Sequence, residues 1–202
     1  MKKLKIAGFV LAAIVLLLIA AIVAVWAPDR SAEDLGKRWA TPPSQFVMVD
    51  GMKVHVRDEG PRDDPNPIVL LHGTSSSLHT WDGWARALKE KHRVIRVDLP
   101  GFGLTGPTPD GNYQMPVYSH FVASLLDTLQ VQRAVLAGNS LGGYVAWKTA
   151  VDYPGRVSKL ILVDAAGYAT TAASVPIGFK LAQIPMLSGL MANILPRRVI
   201  ES

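Results

Sequence analysis

Cysteine is absent from the 202 residues of this chain. Its absence excludes disulfides, thiolate metal sites and a cysteine nucleophile, and suits an extracytoplasmic address without requiring one. Charge is also scarce, at 18% of residues, and of the net +5 the N-terminal Lys2, Lys3 and Lys5 supply +3, leaving +2 for everything else. So small an excess does not point to a nucleic-acid partner. No histidine follows position 120; the five present are His55, His72, His79, His92 and His120. What is there, 49% hydrophobic residues, suffices for one sizeable core and carries no sign of a second.

Only one long stretch lacks polar side chains. Ile6 to Ala27 is unbroken and apolar, with the three lysines before it and Pro28-Asp29-Arg30 after it. As a helix it would be roughly 33 Å long at about 1.5 Å per residue, against a hydrocarbon core of about 30 Å. A cleavable signal has a shorter apolar core of roughly 7–15 residues and a small-x-small cleavage site. Here Val25-Trp26-Ala27 has a bulky middle residue and proline next. Residues 1–27 therefore read as a membrane anchor or signal segment, with an uncleaved transmembrane helix expected. The basic flank would stay cytoplasmic and the remainder lie outside, anchored to the membrane, or secreted if the segment is cleaved. Residues 28–44 read as a linker, with a short helix around Ala32 to Trp39.

Beyond the linker, buried-strand and helix patterns alternate. Gln45 to Val49 and Met52 to Arg57 flank Asp50-Gly51, a strong hairpin signal. His55, inside the second of these strands, reads as a residue facing solvent or a neighbour. Ile68 to Leu71 and Val94 to Val97 read as buried parallel strands. The first exits into His72-Gly73-Thr74-Ser75, the second into Asp98-Leu99-Pro100-Gly101-Phe102-Gly103. His72 reads as ordering its loop, and Asp98 as a strand-end carboxylate capping loop amides. Trp81 to Leu88 and Pro116 to Leu129 have helical spacing, and Val157 to Val163 reads as one more buried strand, ending at Asp164.

Between them lies Gly138-Asn139-Ser140-Leu141-Gly142, preceded by the strand Arg133 to Ala137 and followed by the helical run Leu141 to Tyr153. This is the G-x-S-x-G nucleophile elbow pattern. A serine lifted onto a strand-to-helix turn needs neighbours almost free of side chain. The same turn puts the serine at the positive end of the helix, where unpaired amides favour an oxyanion. Thr74, following a glycine at a buried strand end, offers a second amide of that kind. The glycines equally suit a turn that only packs a helix closely on a strand, and the Thr74 loop equally suits a helix cap.

The order strand, His-Gly loop, helix, strand, Asp-x-Pro-Gly-x-Gly loop, helix, strand, Gly-Asn-Ser-Leu-Gly resembles the α/β-hydrolase superfamily, in its lipase/esterase-like branch with a helical cap. The likeness runs from about Gln45 to Gly167. It implies an α/β fold, a mostly parallel sheet flanked by helices, incomplete here and preceded by the transmembrane helix. Residues 45–167 would be the N-terminal part of the hydrolase core and 168–202 the start of the cap. It also implies a serine hydrolase, with Ser140 as nucleophile, the amides of Leu141 and Thr74 as oxyanion hole, and Asp164 as a candidate acid. No metal or cofactor is implied. Serine rather than aspartate at the elbow argues against the haloalkane dehalogenase and epoxide hydrolase branches.

One departure stands out: the superfamily order is serine, acid, histidine, and every histidine here precedes Ser140. A lone serine hydroxyl is a weak nucleophile. The expectation is that these residues are the N-terminal portion of a longer hydrolase, inactive as they stand, whose substrate is a small apolar ester or acyl compound. Phe179, Leu181, Ile184, Met186, Leu187, Leu190 and Met191 would line its pocket. Two alternatives stay open: a membrane-tethered, non-catalytic binding protein of the same fold, and a C–C bond hydrolase or perhydrolase. Nothing in these motifs sets an oligomeric state.

Overall fold

A computed structural model describes residues 2–26, 30–168 and 184. It divides into two compact units, Met1–Arg30 with Thr170–Ser202, and Ser31–Ala169. In the first, helix α1 runs over Lys2–Val25, as a leucine-, alanine- and isoleucine-rich run should. Among the described residues, no helix is long and apolar enough to cross a membrane. This corrects the expected transmembrane helix and the membrane-anchored location. The cap segment, including Phe179, Leu181, Met186, Leu187, Leu190 and Met191, lies outside the described residues; Ile184 is described, and exposed.

In the second unit, helix α2 (Ala32–Trp39) occupies the expected linker, capped by Ser31, whose hydroxyl accepts from the Asp34 amide at 3.1 Å. Strands β1 (Ser44–Val49) and β2 (Met52–Glu59) form the expected hairpin. Asp50 and Gly51 take φ of 49° and 80°, the left-handed pair that a two-residue hairpin loop requires. Then come β3 (Ile68–Leu71), a 3-10 turn (Leu78–Trp81), α3 (Asp82–Leu88), β4 (Val94–Val97), α4 (Met115–Thr128), β5 (Ala134–Asn139), α5 (Leu141–Asp152) and β6 (Val157–Val163).

The six strands lie in the order β1-β2-β4-β3-β5-β6. β2 is antiparallel to both its neighbours, while β4, β3, β5 and β6 are parallel to one another. Two apolar clusters explain the sheet. Val69 and Leu71 of β3 join Ile95, Val97, Phe121, Leu125 and Val145; Ile68 and Leu70 join Val94, Val135, Trp81 and Ala85. Alternate residues of one strand thus enter different clusters, so a strand covered on both faces reads as unbroken apolar sequence. β6 departs from this. Among the described residues it has a neighbour on one side only, and of its seven residues Val157 alone is buried, with Leu160, Ile161 and Leu162 39%, 38% and 38% exposed.

Candidate active site

Because β3, β4, β5 and β6 are parallel, their C-terminal ends share one edge of the sheet, where ligands bind in open α/β sheets. The four exits there are the loops after Leu71, Val97, Asn139 and Val163. Ser140 stands between β5 and α5 with φ 50° and ψ −112°, a backbone state that costs a non-glycine residue free energy and persists only where its surroundings enforce it. They do so here through hydrogen bonds. The Ser140 amide donates to Val163 O at 3.1 Å, and its carbonyl accepts from Tyr144 N at 3.1 Å and Ala166 N at 2.9 Å. The neighbouring Asn139 Nδ2 donates to Val163 O at 3.2 Å.

Glycine permits the rest of the bend. A Cβ on Gly142 would collide with the carbonyls of Leu71 and His72, and one on Gly138 would meet Gly142 and Gly143 backbone. A Cβ on Gly73 would lie 3.3 Å from Ser140 Cβ, so the loop after β3 touches the elbow and Thr74 follows directly. Among the described residues, the Ser140 hydroxyl and the amides of Leu141 and Thr74 have no hydrogen-bond partner. The geometry therefore brings together Ser140, Leu141 and the Thr74 loop. Asp164, at the end of β6, takes φ 46° and is exposed; it is bonded to no histidine, while its neighbour Ala165 packs against Gly143.

Each histidine is committed elsewhere. Buried His72 donates from Nδ1 to Gly73 O at 2.7 Å and accepts Leu99 N–H on Nε2 at 3.0 Å. It ties the loops after β3 and β4 together, as the sequence predicts. Burial pushes its pKa below the ordinary histidine value, only partly opposed by the Gly73 carbonyl and Asp98. His55 lies fully buried between Asp98 and Ser44. His79 meets Trp39 O, His92 meets Asp64, and His120 meets Tyr153. Asp98 caps amides as expected, accepting from Leu78 N at 2.7 Å and Leu104 N at 2.9 Å.

The His72 arrangement sets a pH dependence. A histidine whose folded pKa is depressed contributes stability above its unfolded value, lost as pH falls below it, because the unfolded chain then binds the extra proton. The unfolding free energy from urea titrations should fall as pH drops below the unperturbed 6.5, by up to about 1.4 kcal/mol per pH unit for one proton. His72→Gln keeps an acceptor for Leu99 N–H and has no such titration. Its slope over that range should be shallower, and an unchanged slope would exclude His72 as the source.

A parallel-sheet α/β protein with a strained serine at the strand-to-helix turn, amides open beside it, is an enzyme-type scaffold of the nucleophile-elbow class. The chain belongs to the alpha/beta hydrolase fold family, whose model matches residues 66–187. The 2-hydroxy-6-oxo-2,4-heptadienoate hydrolase of Pseudomonas putida is 33% identical over 61% of this chain and 45% of its own length. Among solved structures, the meta-cleavage product hydrolase of Pseudomonas fluorescens is similar at TM-score 0.60 and 29% identity, over 68% of this chain and 49% of that one. A thermophilic esterase from Thermogutta terrifontis is similar at TM-score 0.58 and 27% identity, over 69% and 52%. The chain spans about half the length of these relatives.

The residue that sequence reasoning passed over is Ser44, at the start of β1. The hairpin signal carried the clue, since its register sets Ser44 directly opposite Arg57, two residues from His55.

Proposed function

We propose that Ser140 is the nucleophile of a hydrolase that cleaves small carboxylic esters through an acyl-enzyme. The single observation carrying this reading is a serine at φ 50° with the Leu141 and Thr74 amides open beside it. In the reaction Ser140 Oγ attacks the carbonyl carbon, the two amides hold the oxyanion, and the alkoxide leaves with a proton. The apolar sequence from Gly178 to Leu195 supports an apolar substrate. Asp164 is the candidate acid at the end of β6.

No histidine of this chain bonds the Ser140 hydroxyl. The 202 residues alone should therefore retain only the catalysis that binding and amides supply, about 10³–10⁴-fold over water. Turnover of p-nitrophenyl butyrate on the order of 10 s⁻¹, typical of a complete enzyme, would contradict this. With only the two amides to assist, a fluorophosphonate probe should label Ser140 slowly, over hours rather than minutes, as read by peptide mapping, and Ser140→Ala should remove that adduct. Absence of labelling at Ser140 favours a non-catalytic binding protein of the same fold.

The relatives' names support a second reading, cleavage of a carbon-carbon bond in a meta-cleavage product. Supplying p-nitrophenyl butyrate and 2-hydroxy-6-oxo-2,4-heptadienoate in parallel separates the two, since ester hydrolysis requires the former to turn over faster.

A further inference from the structure

Ser140 has no imidazole beside it, but another serine does. Ser44 Oγ lies 2.9 Å from His55 Nε2, and His55 Nδ1 lies 2.8 Å from Asp98 Oδ2. The side chains of His55 and Asp98 are each 1% exposed, while Ser44 is half-buried and reaches solvent. The donors can be assigned. Burial raises the Asp98 pKa, but hydrogen bonds from His55 and the Leu104 and Leu78 amides outweigh it, keeping the carboxyl below its ordinary range. A carboxylate only accepts, so Nδ1 carries a proton; in the neutral ring Nε2 is then the acceptor. Arg57 Nε also donates to Ser44 Oγ, at 2.9 Å. With the ring neutral, the hydroxyl proton turns to His55 Nε2 at 2.9 Å rather than to Trp39 O at 3.5 Å.

This arrangement is built into the sheet. Ser44 and Arg57 are cross-strand partners, and His55, two residues before Arg57 in β2, faces the same side. The Phe46 ring stacks on the imidazole with centroids 5.2 Å apart. The Asp98 amide in turn donates to His55 O at 3.0 Å, fixing acid and base across the β2–β4 junction. A hydroxyl bonded to a base, with that base oriented by a third group, is the general signature of an activated nucleophile.

We propose that Ser44 is a second activated hydroxyl, which takes the acyl or phosphonyl group of a small activated ester. His55 is its base, Asp98 a positioning residue, and Arg57 the donor that holds Ser44 Oγ in place. With a fluorophosphonate, the Oγ–P bond forms and the P–F bond breaks. Fluoride leaves with the bonding pair, and the hydroxyl proton passes to His55 Nε2. With a carboxylic ester, the Oγ–C bond forms, the C–O bond breaks, and the leaving alkoxide recovers that proton.

The test uses the full chain carrying Ser140→Ala, so that the elbow serine cannot report. Fluorophosphonate treatment, intact mass and peptide mapping should find one adduct, on the peptide containing Ser44, and S44A in the same background should abolish it. His55→Gln should slow the labelling by about 100-fold, the scale of a lost general base. If His55→Gln fails to fold, the Ser44→Ala comparison still decides. An unlabelled Ser44, or label spread over other serines with Ser44 spared, overturns the proposal. Mapping separates this outcome from failure of the Ser140 reading, which concerns a different peptide in the unsubstituted chain.

Discussion

Alanine at position 142 should melt the chain at least about 6–12 °C early, a loss of about 3 kcal/mol at roughly 2–4 °C per kcal/mol for a chain this size. The added methyl would sit 2.6 Å from His72 O and closer still to Leu71 O. Both are backbone atoms at the end of a buried strand, so no side-chain rotation relieves the overlap, and close-packed surroundings leave little room to yield. The first turn of α5 must lift from β3, separating Ser140 from the Thr74 loop. Loss of stability and loss of any Ser140 adduct should therefore come together. Gly155→Ala is the control, since a Cβ there meets nothing within 4 Å. A Gly142→Ala melt within about 1 °C of the parent, inside the range of neutral surface substitutions, would show that the helix does not need glycine at this approach.

Elements whose environment is uniform along their length were legible in the sequence. Ile68 to Leu71 and Val94 to Val97 are covered on both faces, and their bounds are those read from the sequence. The elbow was legible because Gly138 answers to the backbone of Gly142 and Gly143 only a few residues on, although Gly142 answers to Leu71 and His72, far away in sequence. Two readings failed for one shared reason: an apolar run states what a segment favours, not what covers it. β6 reads as a buried strand, yet its place at the end of the sheet order leaves Leu160 to Leu162 exposed. The N-terminal run reads as helix, correctly, but its membrane role did not stand. The Ser44–His55–Asp98 alignment was half legible. Hairpin register brings Ser44 to His55, but Asp98 arrives through pairing of β2 with β4, strands not adjacent in sequence, and no local pattern announces that pairing.

Replacing Asp98 with alanine should cost about 4 kcal/mol, because three buried donors lose their acceptor together and each orphaned donor costs about 1–3 kcal/mol without simple additivity. The donors are the Leu78 amide, the Leu104 amide and His55 Nδ1. Gly103 closes so tightly on the carboxylate that a Cβ there would overlap it, so the loop after β4 is folded around this one side chain. That loop supplies the Leu99 amide that holds His72 Nε2, and His72 in turn holds the strand end beside the elbow. The damage should therefore spread to the Thr74 loop. Asp98→Asn preserves shape but turns its amide toward donors, and should cost about 2 kcal/mol. The two variants also differ from the parent in acid. Because the folded Asp98 pKa lies below 3.8, its contribution is present above that value and lost as pH falls through the lower folded one. Urea midpoints taken at neutral pH and down toward pH 3 should thus converge for parent and Asp98→Asn. A gap that stays constant over the whole range would mean that the charge of the carboxylate is not what holds the loop.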